Sequence, residues 1–244
     1  MQSRAEREKL LLLLEEKKKR EHENMLFTCY PETGKFARAG YDRHLKFFAA
    51  GAHHKERALI ASNRSGKSFA ASFEMALHLT GLYDLFPWWE GKRFHEPVLA
   101  WSAGKTNETT RDILQRYLLG PRHDLGSGMI PKHLIIKVTT KTGIPDAIQD
   151  VHVRHASGGI SEESFKSYIQ GVDSFMGVSR HVIHLDEEPE NTSIYSECVT
   201  RTMTTDGIVM STFTPLNGLS DVVLGFLPGG RFPPDGYGEV RPYE

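Results

Sequence analysis

The sequence predicts an α/β fold, with a mostly parallel central sheet flanked by helices. Three observations predict it. Between Arg57 and about Phe213, short apolar runs alternate with helical stretches. One of those runs, from Arg57 to Ser68, passes from a strand through a short polar loop into a helix. The chain has 244 residues, 39% of them hydrophobic, enough for one large domain with a core of ordinary size.

Composition sets limits on function. Thirty basic residues face thirty-one acidic ones, a net charge of −1. That excludes a uniformly basic nucleic-acid coat and leaves room for a local basic groove. No run of 18 apolar residues occurs, so no membrane span is predicted. Two cysteines, Cys29 and Cys198, exclude a disulfide scaffold and fit a reducing cytoplasm.

The elements follow in order. Residues 1 to about 24 mix seven basic and six acidic residues without Gly or Pro. They read as a helix supported by Glu15→Lys19 and Glu16→Arg20 pairs. Leu10 to Leu14 cannot all share one face, so this is either a solvated arm or a docking helix for another subunit. Residues 1–30 are therefore set apart as a helical arm. Pro31 to Gly40 reads as a loop and Tyr41 to Ala50 as a short helix. Strands are expected at 58–62, 98–102, 134–139, 151–155, 165–169, 182–186 and 208–213. Helices are expected at 67–80, 107–119 and 193–204. The main domain spans 31–220. Residues 221–244, with five Gly and four Pro, read as a flexible exit.

The loop Ser62-Asn63-Arg64-Ser65-Gly66-Lys67-Ser68 has the context of a phosphate-binding P-loop. Its backbone N–H groups and the following helix N-terminus can cradle phosphate oxygens. Gly66 lets the backbone approach closely. Lys67 supplies a cation to the β- and γ-phosphates, and Ser68 a hydroxyl ligand for Mg²⁺. The first Gly of the usual pattern is Ala61 here, which fits if that residue keeps φ below zero. The bland alternative is an exposed helix start with a solvated lysine.

About 120 residues on, Val182-Ile183-His184-Leu185 leads into Asp186-Glu187-Glu188-Pro189. A carboxylate at the end of a buried strand is where a P-loop enzyme places its second Mg²⁺ contact, so Asp186 is assigned that role. Glu187 is the expected base for the attacking water, with Glu188 as the fallback. Strand-forming segments between the two motifs would insert a strand between the two motif strands. That selects the helicase-like and RecA-like branch of P-loop NTPases. A third apolar run, Ile208 to Phe213, ends in Ser211 and Thr212, placed to sense the γ-phosphate.

In this order, the stretches at 41–48, 56–68, 78–93, 151–159, 167–171, 184–190 and 201–215 resemble the large terminase subunit of tailed bacteriophages, over about residues 30 to 230. The resemblance implies an ATP-driven motor that moves double-stranded DNA into a procapsid. It implies a small terminase subunit and a portal protein as partners, a homo-oligomeric ring, and ATP with Mg²⁺ as cofactors. The setting would be the bacterial host cytoplasm, transiently at the portal, with no membrane partner. Gly66, Lys67, Ser68, Asp186 and Glu187 take the roles above, and Ser211-Thr212 becomes the coupling motif. Tyr41 and His44 would lie near the adenine. Arg64 would act as an arginine finger or internal switch. Family members continue into a ribonuclease-H-like nuclease domain, and this chain is expected to carry ATPase without nuclease activity. The alternatives are another helicase-like or repair ATPase, or a non-catalytic remnant that only binds partners. The histidine pairs 152/155 and 181/184 fall on opposite strand faces and are not metal sites. Trp88 and Trp89 are expected to pack on the sheet.

Overall fold

A computed structural model of the protein describes residues 24–215, 220–227 and 231. The arm helix expected before residue 24 lies outside the described residues. Seven strands form a single sheet: β1 (Glu56–Ile60), β2 (Leu99–Gly104), β3 (Ile135–Thr140), β4 (Ile148–Arg154), β5 (Ile160–Ser167), β6 (Val182–Asp186) and β7 (Ile208–Phe213). Their spatial order is β1-β7-β6-β2-β5-β4-β3. The first five are parallel, and β4 and β3 close one edge as an antiparallel pair.

Burial explains this division. Val-Ile-His-Leu-Asp of β6 and Ile-Val-Met-Ser-Thr-Phe of β7 are buried at every position. Continuous apolar runs suit central parallel strands covered on both faces. β3 and β4 are less covered: β3 has no fully buried position, and β4 mixes buried Ile148, Val151 and Val153 with exposed ones, as suits an edge pair with one wet face.

The strand inserted between the two motif strands is β7. It separates β1 from β6, as the helicase-like and RecA-like reading requires, but it comes after the acidic motif rather than between the motifs in sequence. The last expected strand before β6 also shifts. β5 begins at Ile160, and Tyr168–Gln170 is already a turn of 3-10 helix. Ser167 caps that turn through its contact with Gln170, which ends the strand.

The helices are α1 (Met25–Thr28), α2 (Asp42–Ala50), α3 (Lys67–Thr80), α4 (107–119), α5 (Thr192–Thr202) and α6 (Asp221–Gly225). α4 is π-wound over Thr110–Gln115. α3 lies against the sheet with every residue from Ala70 to Thr80 buried. It stops at Gly81, whose φ of 70° lets its N–H turn back to the Leu77 carbonyl. Trp88 stacks on Phe73 of α3 at 5.8 Å, and Trp89 is buried beside it.

Two domain boundaries move. Leu26 and Tyr30 are buried in the main core with Phe47, Phe48 and Phe73, so 24–30 belongs to the domain rather than to an arm. Residues 221–227 are not part of an exit. Val222, Val223 and Leu227 are buried, and Val223 and Leu227 pack on Phe213 at the end of β7.

A buried ionic cluster fixes α3 to its surroundings. Arg57 of β1 holds Glu74 of α3 with two hydrogen bonds, at 2.6 and 3.2 Å, and donates to the Phe47 carbonyl at 2.6 Å. His78 Nε2 donates to Glu74 at 3.2 Å, while Nδ1 accepts from Tyr83 at 2.8 Å. Burial alone would raise the Glu74 pKa, but Arg57 and His78 outweigh it and hold the carboxyl below its usual range.

Candidate active site

The C-terminal ends of β1, β7, β6 and β2 open into one cleft of about 350 Å³. Parallel strands put this rim where ligands bind in open α/β sheets. Asn63, Arg64, Gly66, Lys67, Ser68, Asp186, Glu187, Glu188 and Thr212 all line it.

The loop between β1 and α3 is shaped by two left-handed residues, Arg64 at φ 63° and Gly66 at φ 82°. Ala61 is not among the positive-φ residues, which is why alanine serves where the usual pattern has glycine. A Cβ on Gly66 would stand 3.0 Å from the His44 ring. His44 Nε2 donates to the Ser65 carbonyl at 3.1 Å, and its Nδ1 accepts from Tyr30 at 2.9 Å. Burial lowers the His44 pKa, so the ring is neutral and fixed in one tautomer.

Lys67 turns its ammonium back onto the loop. It donates to the carbonyls of Ala61 at 3.0 Å and Ser62 at 2.8 Å, and to Thr214 Oγ1 at 2.9 Å. Burial lowers its pKa, while Asp186 and Glu187 oppose the shift.

Ser68 and Asp186 are 118 residues apart and meet across the cleft, with Ser68 Oγ donating to Asp186 Oδ1 at 2.6 Å. Thr212 Oγ1 donates to the same oxygen at 2.7 Å. Thr212 in turn accepts from His184 Nε2 at 2.7 Å. Burial raises the Asp186 pKa, and the two hydroxyl donors and Lys67 pull it back. A hydroxyl and a carboxylate in contact at the start of α3 are hard oxygen ligands, and this donor set fits Mg²⁺.

Glu187 sits at φ 62°, its N–H bound to the Thr212 carbonyl at 2.8 Å. Its carboxyl is exposed to the cleft and makes no hydrogen bond among the described residues. Partial burial and the Asp186 charge raise its pKa, making it a better proton acceptor. Glu188 is instead tied to the Ser220 hydroxyl. The structure thus separates two residues that sequence left as first choice and fallback.

Other expected site residues divide. Ser62, Asn63 and Ser65 stand in the loop, Asn63 accepting from Thr214 at 2.9 Å. Arg64 is exposed at the cleft and makes no hydrogen bond or ion pair among the described residues. Thr212 joins the Asp186 network. Ser211 points through the opposite sheet face, and its buried Oγ has no partner among the described residues. Tyr41 and His44 do not line the cleft. His44 supports the loop from behind, and Tyr41 packs on it at 5.4 Å.

Sequence reasoning missed Phe69, Lys105, Tyr117 and Thr214. Phe69 and Tyr117 meet edge to face at 5.6 Å along one wall. Lys105 leaves the end of β2 and pairs with Glu190 at 2.8 Å. Lys105 was findable, since it follows a predicted strand end on the ligand side. Nothing in the sequence marks Tyr117.

The family sequence model described as "Terminase large subunit, T4likevirus-type, N-terminal" matches residues 58–234, most of the chain. The chain belongs to the terminase large-subunit family. A curated relative, the terminase large subunit of Salmonella phage P22, is 41% identical over 207 residues. That match takes in 78% of this chain and 41% of the relative, so this terminase chain spans well under half the relative's length. Among solved structures, a point mutant of the Thermus phage P74-26 large terminase ATPase domain aligns with a TM-score of 0.48 at 20% identity. The alignment covers 76% of this chain and 73% of that one. The large terminase of the thermophilic bacteriophage D6E in complex with ATP-gamma-S aligns with a TM-score of 0.45 at 13% identity. There the coverage is 70% and 36%.

Proposed function

We propose that the chain is a Mg²⁺-dependent ATPase, the motor domain of a packaging machine that drives double-stranded DNA into a procapsid. The observation that carries the ATPase reading is the contact between Ser68 and Asp186, with Lys67 on one side and Glu187, unpaired among the described residues, on the other.

Each residue has a task. The start of α3 and the loop N–H groups bind phosphate oxygens. Lys67 exchanges its loop carbonyls for the β- and γ-phosphates. Ser68 and Asp186 would hold Mg²⁺, which would supply charge neutralisation at the phosphates. Glu187 orients a water and accepts its proton at the carboxylate. Thr212 couples Asp186 to β7, so a change at the phosphates reaches the inserted strand. His44 and Tyr41 act on the nucleotide side by holding the loop's shape. Arg64, exposed on the loop at φ 63°, would act on a nucleotide in its own subunit or a neighbour's. DNA, a small terminase subunit and a portal protein are the partners of this reading. It sets a homo-oligomeric ring in the host cytoplasm, working at the portal.

The test is ATP turnover against protein concentration, with and without Mg²⁺, for the wild type, Lys67→Ala and Glu187→Ala. The expected result is Mg²⁺-dependent turnover per subunit that rises with concentration and is lost in both variants. A wild type no faster than Lys67→Ala at every concentration overturns the ATPase reading. A rate per subunit that stays flat with concentration overturns the ring.

A further inference from the structure

Beneath α3 the sheet carries buried polar groups that the proposed chemistry does not use. Ser72 Oγ on α3, Ser102 Oγ on β2, both carboxyl oxygens of Glu163 on β5, and His184 Nδ1 on β6 are all buried. None is hydrogen-bonded to another group among the described residues. Orphaned buried polar atoms are rare and need an explanation.

The sheet register sets three of them in a row. Ser102 is directly opposite His184 across the parallel β2–β6 pair. Glu163 is opposite Ala100, one same-face step from Ser102. Ser72 follows Ser68 by four residues and so shares the face of α3 that meets Asp186.

The row ends on the phosphate site. Asp186 is the charged acceptor, so the Thr212 hydroxyl hydrogen goes to it. Thr212 must then accept from His184, and the hydrogen of that ring is on Nε2. Nδ1 is left as a buried lone pair without a partner among the described residues. The opposite tautomer would make Nε2 an acceptor and pull the Thr212 hydrogen away from Asp186. A donor toward Nδ1 decides between the two.

Glu163 is suited to be its source. Burial pushes its pKa up to about 8; the Ser102 hydroxyl and amide and the Arg180 charge act against that rise, and Asp150 adds to it. At neutral pH the carboxyl keeps its proton and can donate. Ser102 is close enough to feel it without a well-aligned bond; a buried water would complete the contact.

We propose that Glu163 is a positioning residue for the phosphate site: its carboxyl O–H, relayed by Ser102 and buried water, donates toward His184 Nδ1 and holds the tautomer that orients Thr212 and Asp186. The effect on Mg²⁺ rests on the reading of Asp186 given above. The tautomer does not.

The experiment is ¹⁵N NMR of the His184 imidazole in the full chain at pH 7 without nucleotide, assigned by difference against His184→Asn. The wild type and Glu163→Gln, whose amide still donates, are expected to show only the Nε2–H form. Glu163→Leu and Ser102→Ala are expected to show the Nδ1–H form as well. Half-maximal Mg²⁺ for turnover should rise about 10-fold in those two variants, and stay within about 2-fold of wild type in Glu163→Gln. If Glu163→Leu does not fold, Ser102→Ala decides. An unchanged Nε2–H signal in a folded Glu163→Leu or Ser102→Ala overturns the proposal. Absence of turnover in the wild type, with the tautomer shifting as expected, sinks the ATPase reading and leaves the relay standing.

Discussion

Replacing Glu74 by leucine strands a buried charge. The Arg57 and Glu74 side chains are 3% and 0% exposed, so neither can recover hydration by a small movement. Breaking one side of such a pair costs about 3–5 kcal/mol, because the remaining ion keeps its desolvation penalty. Arg57 would retain the Phe47 carbonyl at 2.6 Å and the Phe47 ring at 4.6 Å, which places the loss near the lower end. We expect about 3 kcal/mol, and a fall in Tm of roughly 6–12 °C for a chain of this size. The assay is urea unfolding followed by circular dichroism at pH 7, with Glu74→Leu, Arg57→Met and the double variant. Removing both charges lifts the penalty, so the double variant should recover at least about 1.5 kcal/mol relative to the sum of the singles. It will not reach wild type, since His78 Nε2 loses its acceptor. A Glu74→Leu loss under about 1 kcal/mol, or a double variant at or below the sum, would refute the argument.

Other outcomes follow from the same geometry. Thr212→Val removes one of two hydroxyl donors to Asp186 and should weaken Mg²⁺ affinity about 10-fold or more, measured by titration with nucleotide present. His44→Phe breaks the Tyr30 and Ser65 contacts behind the loop and should cost about 1–3 kcal/mol in urea unfolding. Glu163 is protonated in the folded state and ionised in the unfolded chain between pH 4.5 and about 8. Its contribution is complete below pH 4.5 and is lost as pH rises to about 8, by about 1.4 kcal/mol per pH unit. The downward slope of wild-type stability from pH 7 to 8 should therefore flatten in Glu163→Gln. Cys29 and Cys198 are buried thiols pushed up to about 12, so neither should react with Ellman's reagent until the protein unfolds.

Much of this architecture is legible in the residues because the local signals agree with the global fold. β6 and β7 begin and end where predicted, since their apolar runs are bounded by acidic or Gly/Pro punctuation. α3 also falls where expected, between Gly66 and Gly81, each in a conformation that glycine favours. That the 62–68 loop and Asp186 share one cleft was foreseeable, because both follow or end buried strands on the same rim of the sheet. What was hidden depends on long-range packing. Nothing local says that β7 slots between β1 and β6, or that Glu188 is tied to Ser220 while Glu187 is not. The position of Tyr41 and His44 relative to the cleft was hidden for the same reason. Tyr41 and His44 precede the loop in sequence, but Tyr30 and the core hold them behind it. Val222 and Val223 were lost in a Gly/Pro-rich background that masked a short buried helix.

The place of β7 also bears on how the chain comes off a ribosome. Among the described residues β1 pairs with β7 alone, and partners in that pair are 153 residues apart. At about 5–20 residues per second, β1 waits roughly 8–30 s for its neighbour. Throughout that time β1 stands open and able to pair with another nascent chain; β6 begins at Val182 and β7 at Ile208, so the open edge of β6 waits only about 1–5 s. The loop cannot take its final shape either, because Thr214, directly after β7, is what bonds Ala61 and Lys67. On the proposed reading, the loop is complete only once synthesis has passed Thr214. The slowest vulnerable interval of this domain is a gap in time between two strands that end up side by side.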